Sequence, residues 1–189
     1  AYNQQNVEGI LYNFNFTRAP FDNKLVRKAF AMAIDRQAIA TNVTRGGETP
    51  WGALTPAGTG GYTAKAQIPY DVEKAKALLA KAGYPDGKGL PPVQLLYNTN
   101  EKHKAIAEAC QQMWTKNLNV NVELVNQDWK VYLDSMSNLD FSMIRRGWIG
   151  DYVDPDAFLG LYVTNGGNNK SGFANAEFDD RRHRCRARR

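Results

Sequence analysis

The chain is poor in the residue types that most enzymes use, with two cysteines and two histidines in 189 residues. Cys110 falls inside a helical pattern and Cys185 in an arginine-rich end, so neither has a CxxC or other metal-ligand spacing and no disulfide between them is expected. Cys110 reads as a small buried apolar residue. His103 stands between Lys102 and Lys104 and reads as a solvated helix residue, while His183 lies in the basic end. A His-based triad would have to use one helix-surface residue or one tail residue, there is no HExxH, and neither standard Gly-rich phosphate loop is present. No apolar run approaches the roughly 20 residues of a membrane-spanning helix. Ala1 to Gln5 show neither the basic nor the apolar region of a secretion signal, so an export signal is expected to lie outside this chain.

Basic charge is also lacking where a nucleic-acid surface would need it. The formal net charge is +5, but Arg181 to Arg189 hold six arginines and no acid, leaving 18 basic against 19 acidic groups in the rest, a net of −1. The basicity is a property of the tail, and no nucleic-acid partner is expected for the body. With 43% hydrophobic and 11% aromatic residues, the composition is that of a globular domain with a real core.

The elements that are present are well marked. Ile10, Tyr12, Phe14 and Phe16 form one apolar, aromatic face that alternates with Leu11, Asn13 and Asn15, and predict a strand over about Gly9 to Phe16. Asp22 stands where a helix cap is expected, and Val26, Ala29, Phe30, Ala33 and Ile34 form one helical face. Asp35 starts a second helix that ends at Gly46-Gly47. Residues 48–70, rich in Gly, Pro and Thr, read as a long surface loop. Asp71 caps a helix with Val72, Ala75, Leu78, Leu79 and Ala82 inward, closed by Gly83 and Pro85. "PVQLLYN", "EKHKAIAEACQQMWTKN" and "VNVELVNQ" then read as strand, helix and strand, a βαβ unit with parallel strands. A short helix from Trp129, capped by Asp128, leads to the strand "FSMIRRGW", and a helix restarts at Asp156-Ala157-Phe158-Leu159. The prediction is an α/β domain with a mixed sheet flanked by helices.

Four segments, "PFDNKLVRKAFAMAIDRQAI", "LLYNTNEKHKAIAEACQQMWTKNLNVNVELVNQDWKVYL", "RRGWIGDYVDPDAFL" and "NKSGFANAEFDD", resemble the oligopeptide-binding proteins among the peptide, dipeptide and nickel receptors of ABC importers. The resemblance implies a periplasmic-binding-protein-like lobe, with residues 1–180 forming most of the second lobe of a two-lobed receptor whose first lobe is missing here. The end, "RRHRCRARR", residues 181–189, does not resemble the family and reads as foreign to the fold. The implied function is capture of oligopeptides between two lobes in the periplasm or at the outer face of the cytoplasmic membrane. Delivery to an ABC permease in the inner membrane would follow, with no cofactor, metal or enzymatic step. Because the ligand is held between lobes, the chain alone is expected to bind weakly.

The resemblance also assigns roles. Asp151, first carboxylate of the "GWxxDYxDP" pattern, is implied to meet the ligand ammonium, whereas a bare reading makes it a turn residue. Asp154 reads as the turn or cap residue before Pro155 and Asp156. Arg146, Gly147, Trp148 and Ile149 are implied to offer backbone for strand addition, with Gly147 allowing close approach. Trp129 is implied to line a side-chain pocket, and Trp148 reads either as a second such residue or as core. Arg145 is implied to meet a ligand carboxylate, directly or through water, with a surface arginine as its plain reading. The family's companion arginine falls near Met136, which carries no charge. A reading from another class makes the chain an interaction domain that engages an acidic partner through its basic tail. Asp151 and Asp154 could also serve a hydrolase, but two carboxylates close in sequence carry little weight.

Overall fold

Strand β1 (Glu8–Phe14) runs antiparallel to β4 (Met143–Ile149), which in turn runs parallel to β2 (Val93–Asn98), and β2 parallel to β3 (Val122–Gln127). The sheet order is β1-β4-β2-β3. This is a computed structural model that describes residues 8–187; the expectations for the first residues, for the Cys185 side chain and for the last two arginines lie outside the described residues. Among the described residues no helix is long and apolar enough to cross a membrane.

The main core lies on one face of the sheet, under α1 (Lys24–Met32), α3 (Val72–Lys81) and α4 (Glu101–Leu118). Phe21, Val26, Phe30, Leu79, Leu95, Trp114, Val122 and Met143 are buried together there. Two side chains of α4 tie it to α1: Trp114 Nε1 donates to the Phe30 carbonyl at 2.9 Å, and Asn117 Nδ2 to the Ala33 carbonyl at 2.8 Å. Carbonyls at a helix C-terminus have no intrahelical partner, so these bonds satisfy groups that burial would otherwise orphan. The other face carries α5 (Trp129–Ser137), whose Tyr132 packs with Leu96, Phe141 and Ile144.

The caps at Asp35, Asp71 and Asp128 are as the sequence predicts, each accepting a backbone N–H of its helix. Three local expectations need correction. The cap of α1 is Asn23, whose side chain accepts from Leu25 N, not Asp22. The helix begun at Asp35 is one short turn, α2 (Arg36–Ala38), followed by a π-helical stretch Ile39–Thr44, and the left-handed residue closing it is Arg45 at φ 49°. The first strand stops at Phe14 because Asn15, fully buried, turns its amide into the chain crossing beside it. Asn15 Nδ2 donates to the Leu139 and Phe141 carbonyls at 2.9 and 3.0 Å, while its Oδ1 accepts from Thr17 N and Oγ1.

Residues 48–70 form a long connection with one isolated bridge, Thr59 to Tyr62. It is tied to α4 by Lys102, which donates to Glu48 Oε1 at 2.5 Å, while Thr44 donates to Glu48 Oε2 at 2.7 Å. The hydrogen bonds to Lys102 and Thr44 hold the Glu48 carboxyl down at about 2, from an ordinary value of 4.5. After β4 come α6 (Asp156–Leu159) and a 3-10 turn Gly160–Tyr162, and the described chain ends in α7 (Ala176–Ala187). α7 crosses the 180/181 boundary without a break.

Candidate functional site: the open edge of β4

Parallel strands end together, and the carboxyl ends of β2, β3 and β4 gather the residues singled out in the sequence. β4 is paired along its whole length with β1, from Phe14 against Met143 to Glu8 against Ile149. On its other edge the ladder with β2 contains two pairs, Leu95 with Met143 and Leu96 with Ile144. From Arg145 to Ile149, therefore, no described strand pairs with that edge. Exposed strand backbone of this kind can accept an extended chain by strand addition.

The start of the open edge is furnished by α5. Tyr132 donates its hydroxyl to the Arg145 carbonyl at 2.5 Å. Trp129, at the first position of α5 and 60% exposed, stacks on the Tyr132 ring with centroids 5.5 Å apart and planes 20° from parallel. An indole so exposed contributes little to the core and presents an apolar plate beside the open strand. At the far end of the edge Ile149 is exposed, and in the bend that follows Asp151, Tyr152 and Val153 are exposed. Asp151, Trp129 and the backbone of Arg145 to Ile149 thus come to one end of the sheet.

The remaining candidates divide differently. Trp148 is half-buried and donates Nε1 to the Ala157 carbonyl at 2.9 Å, so its side chain joins β4 to α6. Arg146 is 6% exposed, donates Nη1 to the Asn168 carbonyl at 2.8 Å and sits 5.5 Å from the Trp148 ring. Its side chain anchors the segment before α7, and burial lowers its pKa. Arg145 is half-buried and lies opposite Tyr12 in the ladder. A Cβ added at Gly147 would lie 3.5 Å from the Arg145 guanidinium. Met136 packs against the cluster of Leu96, Tyr132, Phe141 and Ile144, so no charge replaces the companion arginine at that place.

Asp154 does act as a turn residue, its Oδ1 accepting from Asp156 N at 2.8 Å. His103 is not the solvated residue the flanking lysines suggest: it is half-buried with Nδ1 3.0 Å from Asn98 Oδ1, because the first turn of α4 folds back over the end of β2. Cys110 is buried, and burial pushes its thiol up to about 12. Among the described residues no group of three or more His, Cys, Asp or Glu is placed to hold a metal ion.

Three arginines of the basic end have carboxylate partners within the chain. Arg181 pairs with Glu177 at 2.6 Å, Arg184 with Asp180, and Arg182 with Asp156 at 2.6 Å. The last is a residue that sequence reasoning missed, because nothing in a run of arginines marks one as facing inward.

A family model of bacterial extracellular solute-binding proteins, family 5, middle region, matches residues 2–170. The oligopeptide-binding protein OppA of Bacillus subtilis is 42% identical over 175 residues, which cover 88% of this chain and 32% of that protein. Among solved structures, the murein tripeptide-binding protein MppA of Escherichia coli matches with a TM-score of 0.83 at 38% identity, over 92% of this chain and 35% of that one. The Haemophilus influenzae OppA in complex with the peptide RPPGFSPFR matches with a TM-score of 0.82 at 35% identity, over 93% and 36%. The chain spans about a third of the length of these relatives. With its mixed sheet and flanking helices, and a match running through all four strands, the chain belongs to the family 5 bacterial extracellular solute-binding proteins.

Proposed function

We propose that this chain is part of the substrate-binding component of an ABC peptide importer, and that it supplies one wall of an oligopeptide site. The observation that carries the reading is the half-paired β4, open from Arg145 to Ile149, with the exposed Trp129 at one end and the Asp151 carboxylate at the other. A receptor for peptides of varied sequence must bind what all peptides share. Backbone amides pair with open strand, the ammonium pairs with a carboxylate, and side chains rest on apolar plates without tight selection. Arg145, at the start of the open edge, is read as the residue that meets a ligand carboxylate, directly or through water.

Residues 1–180 are read as most of one lobe, with the facing lobe and a permease in the inner membrane as partners, outside the cytoplasm. Capture between two lobes is not an enzymatic step, and no residue set at the open edge requires one. A peptide held on one wall loses half its contacts and its shielding from water, so the lone chain is expected to bind weakly. The test is calorimetric titration of trialanine and N-acetyl-trialanine into the chain joined to a first lobe. Binding of the free amine that Asp151→Asn abolishes supports the reading. Equal binding of both peptides, or of neither, rejects it.

A further inference from the structure

The bend that carries Asp151 is braced by a side-chain network to which the basic end of the chain contributes. Asp156, at the start of α6, is 9% exposed. Its Oδ2 accepts from the Tyr152 hydroxyl at 2.8 Å and from Arg182 Nη2 at 2.9 Å, and its Oδ1 lies 2.6 Å from Arg182 Nε. The two charged side chains are only 13% and 11% exposed. One charge-assisted hydrogen bond, from Nη2 to Oδ2, and a close charge contact between Nε and Oδ1 thus join the two side chains largely out of water. Gly160 leaves room for it, since a Cβ there would come within 3.2 Å of Arg182 Nη2. Tyr152 follows Asp151 directly and is 48% exposed, so its burial alone does not hold the bend.

We propose that Arg182 is a positioning residue for ligand recognition: through Asp156 and the Tyr152 hydroxyl it sets the bend that presents the Asp151 carboxylate. This rests on the reading of Asp151 as the ammonium partner. The basic end then acts, at Arg182, inside the domain. Arg181 and Arg184, by contrast, pair with acids one turn away on the exposed face of α7, where such pairs contribute little.

The test uses the full chain and two variants. Arg182→Gln removes the guanidinium, and Tyr152→Phe removes one hydroxyl while leaving the ion pair and α7 intact. Amide exchange by mass spectrometry reads the bend, where Asp154 N donates to the Tyr152 carbonyl and Asp156 N to Asp154 Oδ1. The expected result is exchange about tenfold faster over residues 150–156 in both variants, with β2 unchanged, as follows from losing a hydrogen bond to a charged group. Unchanged exchange in the bend of both variants overturns the proposal, and so does a rise shared equally by β2, which marks general destabilisation. The affinity ratio of trialanine to N-acetyl-trialanine, measured with the first lobe joined, supplies a readout that a merely structural brace would not move. It is expected to fall severalfold in Tyr152→Phe; a freed bend with an unaltered ratio removes the recognition role. No preference in the unmutated protein rejects the ammonium reading instead, and the exchange result then still decides whether the brace exists.

Discussion

Gly60→Ala is a substitution for which the structure predicts a large effect from a single added methyl beside the candidate site. Gly60 lies in the long 48–70 connection at φ +56°, and a Cβ built there would stand 2.8 Å from the Val153 carbonyl oxygen, 3.5 Å from Asp154 Cα and 3.6 Å from Pro155 Cδ. The connection therefore rests directly on the bend that carries Asp151. Gly61 provides the control within the same turn: its φ is +79°, but a Cβ there meets nothing within 4 Å. Placing alanine in the left-handed region costs about 1–2 kcal/mol at either position. At Gly60 the methyl must also displace backbone, at an overpacking cost of about 1–3 kcal/mol. The two variants should thus differ by the second amount alone. For a chain of this size each kcal/mol lowers Tm by about 2–4 °C, so Gly60→Ala should melt clearly below Gly61→Ala. Urea unfolding at 25 °C gives the stability difference directly, and amide chemical shifts locate the strain. They should move at Val153 and Asp154 for Gly60→Ala and stay local to the turn for Gly61→Ala. Equal midpoints for the two variants, or shifts confined to residues 58–62 in both, would refute the claim that this loop seats the Asp151 bend.

Four further outcomes are expected. Asn15→Ala removes four hydrogen bonds that turn the chain after β1, two of them to carbonyls of the segment before β4; at about 0.5–1.5 kcal/mol each and incompletely additive, the loss should be about 2–4 kcal/mol in urea unfolding. Trp129→Ala should leave the unfolding midpoint almost unchanged, since the indole is 60% exposed, and weaken peptide binding in the joined receptor; a large stability loss would mean that the indole is core. Glu48 has a folded pKa depressed to about 2 from 4.5, so its contribution to stability is present above the unfolded value and lost as pH falls from 4.5 through about 2. Lys102→Met should flatten that acid limb in a pH series of urea midpoints, and an unchanged limb would exclude the Glu48 clasp. In a Cys185→Ser background, Cys110 should resist thiol reagents at pH 8 until urea unfolds the chain, because burial pushes the thiol up to about 12; reaction in the folded state would show that the core opens locally around α4.

What the sequence determined by itself is whatever short-range chemistry decides. Caps at Asp35, Asp71 and Asp128 are readable because an Asx side chain reaches a backbone N–H two or three residues on, whatever the tertiary setting. The faces of α1 and α4 are readable because the 3.6-residue period is a property of the helix, and the βαβ unit because a strand, an 18-residue helix and a strand leave little choice of pairing. The motif around Trp148 and Asp151 pointed to the carboxyl end of β4 by resemblance, not by physics. The single-residue slip at Asp22 came from two adjacent Asx residues, either able to cap.

Tertiary structure alone decided the features on which the site depends, and each joins residues far apart in the chain. β4 is open beyond Ile144 because β2 pairs with two of its residues and diverges, a matter of sheet geometry that leaves no trace in the strand itself. Asn15 ends β1 by bonding to carbonyls more than 120 residues away, and His103 leaves solvent because Asn98 happens to end β2 beneath it. Arg182 is drawn out of a charge run, in which Arg181 and Arg184 pair along their own helix, by a carboxylate 26 residues earlier. A period or a cap is encoded within one turn of chain; burial of a charge or the opening of an edge is set by which segments meet, and that follows only from the packed whole.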